Sequence, residues 1–463
     1  MPGPCKWTPQ SLSTERFIVR TLLGRLFIAS LLGLSQMTQA QSLIELFDAA
    51  KRYDALYQSA QAQYQASRAK TDQVLAGLLP NVSLQGNSTR TQAIAAANVP
   101  GNPLAAFNRY FTTPNFVLTA AQPLYRPANL LQYEQSKLQF AQAVQQLVLA
   151  EQDLIVRVSQ TYFDVLASQD SLNVVLAQKQ AVSEQLASAK RNFEVGTATI
   201  TDTREAEARF DLTRSQEIAA RNDLLVKQLA LETVTGLVGV KPQALAVQAA
   251  LHSVVPTRVD EWVLQAQEAH PNIRTAELAL NVAKLEIDRA KAAHLPTVDL
   301  IASQTNQYNY GGSQLTSSNY WLHISSVGVQ LNVPIFSGFA LDNRVRETVA
   351  LNDKADQDLQ ATRRSVILGT KTAYLNLTSG LSQVQALQAA EDSSRLALQA
   401  NQLGYQVGVR INIDVLNSQS QLYQTQRDLA QARYSVLLGA LKLRQANGTL
   451  KPEDLQSVNA LLN

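Results

Sequence analysis

PANLLQYEQSKLQFAQAVQQLVLAEQDLIVRVSQTYFDVLASQDSLNVVLAQKQAVSEQLASAKRNFE, residues 127–194, holds 12 Gln and 9 Ala in 68 positions. Leu147, Leu154, Val158, Tyr162 and Val165 recur in it at threes and fours, the spacing of one helix face. Proline breaks helix interiors, and none occurs in the 114 residues between Pro127 and Pro242 or in the 117 between Pro334 and Pro452. A helix of this length is about 100 Å long at 1.5 Å per residue, far beyond a globular helix, and implies coiled-coil packing.

Each proline-free segment has one interruption near its middle, Val195-Gly196-Thr197 in the first and Val407-Gly408-Val409 in the second. Helical patterning resumes through Ala206, Phe210 and Leu224 to Gly236, and through Val415, Leu422 and Leu429 to Asn447. Both segments therefore read as helical hairpins with glycine at the tip turn.

The stretches before the hairpins change period. Val327, Val329, Leu331, Val333 and Ile335 alternate with Gly328, Gln330, Asn332 and Pro334, and Phe116, Leu118 and Ala120 do so more weakly. Val82 and Leu84, and Val298 and Leu300, alternate with polar neighbours in the same way. These are strands with one apolar face. The connectors from Thr91 to Thr113 and from Asn306 to Asn319 are rich in Asn, Gly, Ser and Tyr and read as exposed loops.

The expected fold class is mainly α with a small β part, in two structural repeats. Pro80 and Pro296, Pro123 and Pro334, and Gly196 and Gly408 are separated by 216, 211 and 212 residues, as a duplication requires. The first repeat spans 41–236, with a strand pair at 80–125 and a hairpin at 127–236. A linker with little helix follows at 237–260. The second repeat spans 261–448, with a strand pair at 296–336 and a hairpin at 338–448, and 449–463 form a tail.

Residues 1–40 read as a secretory signal: Arg16, Arg20 and Arg25 precede the apolar run from Leu26 to Leu34, and Thr38-Gln39-Ala40 is a small-x-small cleavage site. The cut removes four basic residues and Glu15, leaving 36 residues of each sign and no net charge. The precursor's small positive charge is thus no sign of nucleic-acid binding. Cys5, the single cysteine, leaves with the signal, which rules out a disulfide framework or thiolate metal site in the mature chain. No run of 18 apolar residues follows position 40. An exported chain with amphipathic strands is either part of an outer-membrane β-barrel or a coiled coil capped by a small soluble sheet. Four strands cannot close a barrel, so in lipid they must be completed by other subunits.

With these motifs in place, the chain resembles the TolC-like outer-membrane efflux proteins over essentially its whole mature length. The resemblance rests on Tyr405-Gln-Val-Gly-Val-Arg-Ile-Asn-Ile-Asp414-Val-Leu-Asn417, on the related Phe193-Glu-Val-Gly-Thr-Ala-Thr-Ile-Thr201-Asp202, and on the closing Gly448-Thr449-Leu450. Gln122-Pro-Leu-Tyr125 and Val333-Pro-Ile-Phe-Ser-Gly338, where strand passes into helix, are also similar. It implies a homotrimer whose twelve strands form one barrel in the outer membrane, with an α-barrel of helices crossing the periplasm. The tube would give passive exit, for multidrug efflux or type I protein secretion, to substrates from an inner-membrane transporter (RND, ABC or MFS type) and a periplasmic adaptor. It implies no enzyme activity and no cofactor.

The resemblance also implies a periplasmic gate in which Thr201 and Asp202 meet Arg410 and Tyr405, with the tip turns at Gly196 and Gly408 docking the adaptor. The gate would open by untwisting of the helix tips. Asp414 would form an acidic constriction ring able to hold a cation. Asn417 stands where the family often has a second acidic residue, so a weaker constriction is expected. Helix capping is the plain alternative for Thr201, Asp202 and Asp414, each just past a turn.

Little else carries chemistry. His252, His270, His294 and His323 are scattered without a second ligand at metal spacing, and Ser67-Arg-Ala-Lys70 lacks a Lys-Thr-Gly partner. Tyr308, Tyr310, Tyr320, Trp321 and Phe336 flank the second strand pair and form either an interfacial girdle or packing under the loop. A soluble periplasmic coiled-coil adaptor, which also carries helical hairpins, and a hydrolase on a helical scaffold remain as other function classes. An adaptor would have one hairpin flanked by compact β domains, and a hydrolase needs a site that the inventory lacks.

Overall fold

The computed structural model describes residues 41–95, 107–246, 255–314 and 316–462. The expected signal at 1–40 and His252 lie outside these residues. Helices α1 (Leu43–Tyr53) and α2 (Ala55–Leu75) lead into strands β1 (Asn81–Ala95) and β2 (Phe107–Tyr125). Helices α3 (Pro127–Glu194) and α4 (Ile200–Thr235) form the first hairpin. The same order returns as α5 (Val259–Ala269), α6 (Pro271–Ala292), β3 (Thr297–Asn309), β4 (Tyr320–Asn332), α7 (Ala340–Gln406) and α8 (Asn412–Ala446), followed by the short α9 (Asp454–Asn459). Among the described residues, no helix is long and apolar enough to cross a membrane.

The 68 residues of α3 are helical throughout, and α7 has 67. Each long helix changes neighbours near its middle: α3 packs beside α2 and α6 toward the sheet and beside α4 and α8 toward the tip. Buried positions recur every seven residues, at Val175, Val182 and Ala189 on α3 and at Val415, Leu422, Leu429, Val436 and Leu443 on α8. That is the seam of a coiled coil. At the equator α1, α9, Leu461 and Leu462 close a dense core on the middle of α3, where Leu154, Val158 and Tyr162 are fully buried.

The segment before each strand pair is broken once, at Asp54 and at His270, both extended at φ near −65°. The two breaks lie as far apart as Pro80 and Pro296 do. Each residue caps the helix it precedes, Asp54 by accepting from the Tyr57 N–H at 2.8 Å and His270 from the Asn272 N–H at 3.1 Å. The described part of 237–260 is tethered rather than loose, since Pro242 bridges Gln41 and Leu245 bridges Leu462, and α5 already begins at Val259.

The four strands form one antiparallel sheet in chain order, so β2–β3 joins the repeats and β1 and β4 are its edges. The strands run further than the apolar alternation does. The expected loop at 91–113 is strand up to Ala95 and again from Phe107, and β3 continues to Asn309. Backbone pairing such as Thr89↔Thr113 and Gln92↔Tyr110 extends the hairpin where polar side chains hide the pattern. Where sheet passes into helix, Arg126 donates to both oxygens of Asp299 at 2.7 Å, fixing the start of α3 against β3.

Candidate functional site

Paired residues in an antiparallel sheet share a face. Val82↔Ala120, Leu84↔Leu118, Ala302↔Val327, Leu300↔Val329 and Val298↔Leu331 therefore put an apolar band on one side. Ser83↔Thr119, Ser303↔Ser326 and Asp299↔Gln330 stand on the other. Val327 is 77% exposed, Val329 64% and Leu84 68% in the isolated chain. A strand of 13 residues, as β4 is, rises about 3.3 Å per residue and spans roughly 33 Å when tilted near 40°. Tyr308 packs against Tyr310 and Trp321 at the loop end, and Phe336 against Phe339 at the helix end. These rings pack on one another, and Trp321, Tyr310 and Phe336 are also exposed, so each sheet end presents aromatic surface.

At the far end the two tip turns are built alike. Gly196 and Gly408 sit at φ near +79°, a left-handed conformation that L side chains adopt at a cost. The N–H groups of Thr197 and Ala198 bond to Asn192 O, and those of Val409 and Arg410 to Gly404 O, closing the ends of α3 and α7. Val195, Val407, Val409 and Ile411 are exposed around them, so the tips are apolar.

Asp202, Tyr405 and Arg410 line one open cleft of about 720 Å³ between the hairpins, as do Gly408 and Asn192. Thr201 is exposed and lies outside that lining. Within the chain these groups have other partners than the expected ones. The Asp202 carboxylate accepts from the Thr199 N–H at 2.9 Å and hydroxyl at 2.7 Å, and the Asp202 N–H donates back to Thr199 Oγ1 at 3.2 Å. This capping box starts α4, so Thr199 rather than Thr201 is the N-cap. Tyr405 Oη accepts weakly from the Asn192 amide at 3.4 Å. Arg410 approaches Asp414 at 3.6 Å across one helical turn, an exposed pair of small energy. Asn417 accepts from Arg209 of α4 at 3.0 Å.

One residue joining the hairpins here escapes a reading of the sequence. Asn412 is fully buried, accepts from Gln185 Nε2 of α3 at 2.6 Å and donates to the Asp202 carbonyl at 3.1 Å. Its signal is the stripe Asn412, Leu416, Gln419, on which a polar residue at helical spacing faces the partner hairpin.

An open antiparallel sheet with an exposed apolar face, continuous with two coiled-coil hairpins, is the frame of this fold. The chain belongs to the outer membrane efflux protein family, whose model matches residues 47–237 and 262–449. The outer membrane protein TolC of Vibrio cholerae is 30% identical over 440 residues, covering 94% of this chain and 97% of that protein. The alkaline protease secretion protein AprF of Pseudomonas aeruginosa is 29% identical over 451 residues, 96% of this chain and 92% of that protein. In fold, the CmeC outer membrane channel of Campylobacter jejuni matches with a TM-score of 0.74 at 18% identity, over 93% of this chain and 94% of that one. CusC, a transmembrane channel, matches at 0.73 and 20% identity, over 89% and 95%.

Proposed function

We propose that three copies of this chain assemble in the outer membrane into a single channel-tunnel that gives passive exit to substrates. The observation that carries this reading is the sheet: four strands with an apolar exposed face and two unpaired edges cannot rest in lipid alone. Pairing β4 of one copy with β1 of the next removes every edge and closes twelve strands, with the serine- and threonine-rich face on the lumen. The α3 and α7 helices, about 100 Å long, then carry the tube toward the inner membrane. Relatives named for protease secretion and for efflux support a role beside an inner-membrane transporter of RND, ABC or MFS type and a periplasmic adaptor. The apolar turns at Gly196 and Gly408 suit docking of that adaptor. A soluble adaptor is the less favoured reading, because the strand pairs lie in one sheet rather than in separate β domains.

Closure at the tips rests on polar contacts around Thr201, Asp202, Tyr405 and Arg410, completed between chains, and opening untwists the helices. Asp414 from three chains forms the acidic ring, with Asn417 held aside by Arg209. In a planar bilayer, the purified protein is expected to give small, cation-preferring openings, with the mass of a trimer in the same detergent. A monomer without conductance overturns the reading. Tyr405→Phe with Arg410→Glu is expected to raise single-channel conductance severalfold. The pair of changes removes a phenol hydroxyl and sets a new carboxylate one helical turn from Asp414, where the two repel; unchanged conductance removes these residues from the gate. With Asp414→Ala, block by trivalent cations should weaken, and block of undiminished strength would refute the ring.

A further inference from the structure

We propose that Asn412 is a buried clasp holding the second hairpin to the first, and that the α3–α8 seam unzips from this residue upward when the tube opens. The inference rests on the channel reading above and adds to its gate a residue fixed by contacts within one chain.

Helices α3 and α8 run antiparallel, and polar rungs cross between them, spaced along α8 by about four turns at first and then by about two. From the tip these are Asn412 to Gln185, Arg427 to Gln178 at 3.4 Å, Tyr434 to Asp170 at 2.6 Å and Lys442 to Gln160 at 3.2 Å. The rungs differ in kind. Lys442 and Arg427 reach through long side chains that water can replace. Tyr434 lies inside the equatorial core, stacked on Phe163, where unzipping must stop. Asn412 is 0% exposed and stands one turn before Leu416, which packs with Val182, Ala189 and Ala206, while Asn412 and Gln185 also border the tip cleft.

A buried amide with both ends satisfied is a register device: it excludes other alignments because they would leave polar groups unpaired. Asn412 takes one bond from α3 and gives one to the Asp202 carbonyl of α4, so one side chain binds the second hairpin to both helices of the first. Both bonds are made with the two tips together, the arrangement that the channel reading takes as closed. When the tips separate, the same groups meet water, so losing the amide raises the free energy of the closed form alone. The clasp sits below the Asp202 capping box, and untwisting α4 must break its bond to the Asp202 carbonyl.

The test uses the full-length protein in planar bilayers, with passive permeation by a large antibiotic in cells as the second readout. Asn412→Ala and Asn412→Leu, which keeps the number of side-chain heavy atoms but not the amide, should each shift the open-to-closed ratio about tenfold toward open, as stranding the half-buried Gln185 amide and the Asp202 carbonyl requires. Gln185→Cys with Asn412→Cys, bridged by a short bis-maleimide, should return the channel to the closed level and abolish transport. Openings like those of wild type in both variants, with transport surviving the cross-link, would overturn the clasp while leaving the channel intact. An increase in Asn412→Ala alone would also overturn it, because it would point to lost packing rather than lost hydrogen bonds. A wild-type protein with no conductance would defeat the channel reading itself, and the clasp with it.

Discussion

Replacing Asp54 by alanine should destabilise the protein by about 3 kcal/mol, one of the largest losses available from a single polar side chain. Asp54 stands in the one-residue break between α1 and α2 and does two jobs there. Its Oδ1 caps α2 through the Tyr57 N–H, and its two oxygens accept from Arg157 at 2.8 and 2.9 Å. The Asp54 side chain is 8% exposed and that of Arg157 28%, so the removal leaves a guanidinium partly buried with Asp153 as its remaining partner. Asp54→Asn retains the cap and loses the charge, and should cost about 1 kcal/mol. Thermal unfolding in detergent separates the two variants; equal losses would mean that the cap alone matters.

The same pair predicts an acid limit. Hydrogen bonds from Arg157, assisted by the Tyr57 N–H, hold the Asp54 carboxyl below its ordinary value of 3.8. A carboxyl depressed in the folded state stabilises fully above that value and loses its contribution as pH falls from 3.8 through the folded value. Wild type should therefore lose stability in that window, and Asp54→Ala should lose less.

Gly448→Ala should be among the most damaging additions of a single methyl group, because it strikes the equatorial corner where α8 ends. Gly448 lies at φ +79°, and a Cβ there would stand 2.5 Å from His270 Cα and 2.8 Å from Pro271 Cδ. Both obstacles belong to fixed backbone or a ring, so α8 must move away from the α5–α6 corner. Movement would break the Gln152 bonds to the carbonyls of Gly448 and Leu450 and the Asn447 bond to Gln265. The left-handed conformation and the clash together cost about 4 kcal/mol or more. Gly408→Ala is the control, since its φ is +78° with nothing within 4 Å of the added carbon. It should cost about 1–2 kcal/mol, the conformational part alone. Membrane yield and unfolding temperature measure both, and equal losses would show that the His270 contact yields easily.

Much of this architecture is legible in the chain. Proline spacing marks both long helices because proline cannot sit inside one, and Gly196 and Gly408 mark the tips because their turns need positive φ. Apolar alternation marks the strands only where one face avoids water. Beyond Gly86 and Asn306 the side chains turn polar while the backbone keeps pairing, and so the strand ends look like loop in the sequence.

The site divides the same way. Sequence alone determined which turns form the tips and that Asp202, Tyr405, Arg410 and Asp414 gather near them, because local spacing fixes position along a hairpin. The two breaks at Asp54 and His270 were not legible, because no periodicity announces them; the structure shows each residue capping the helix that follows. Tertiary structure decided the partners. The capping box of Asp202 with Thr199 is local, whereas Asn417 accepts from Arg209, and Asn412 is buried between hairpins more than 200 residues apart in sequence. Such pairings depend on how α8 rolls against α3 and α4, and that rotation is set by the packing of Leu416 and its neighbours, which no local pattern encodes.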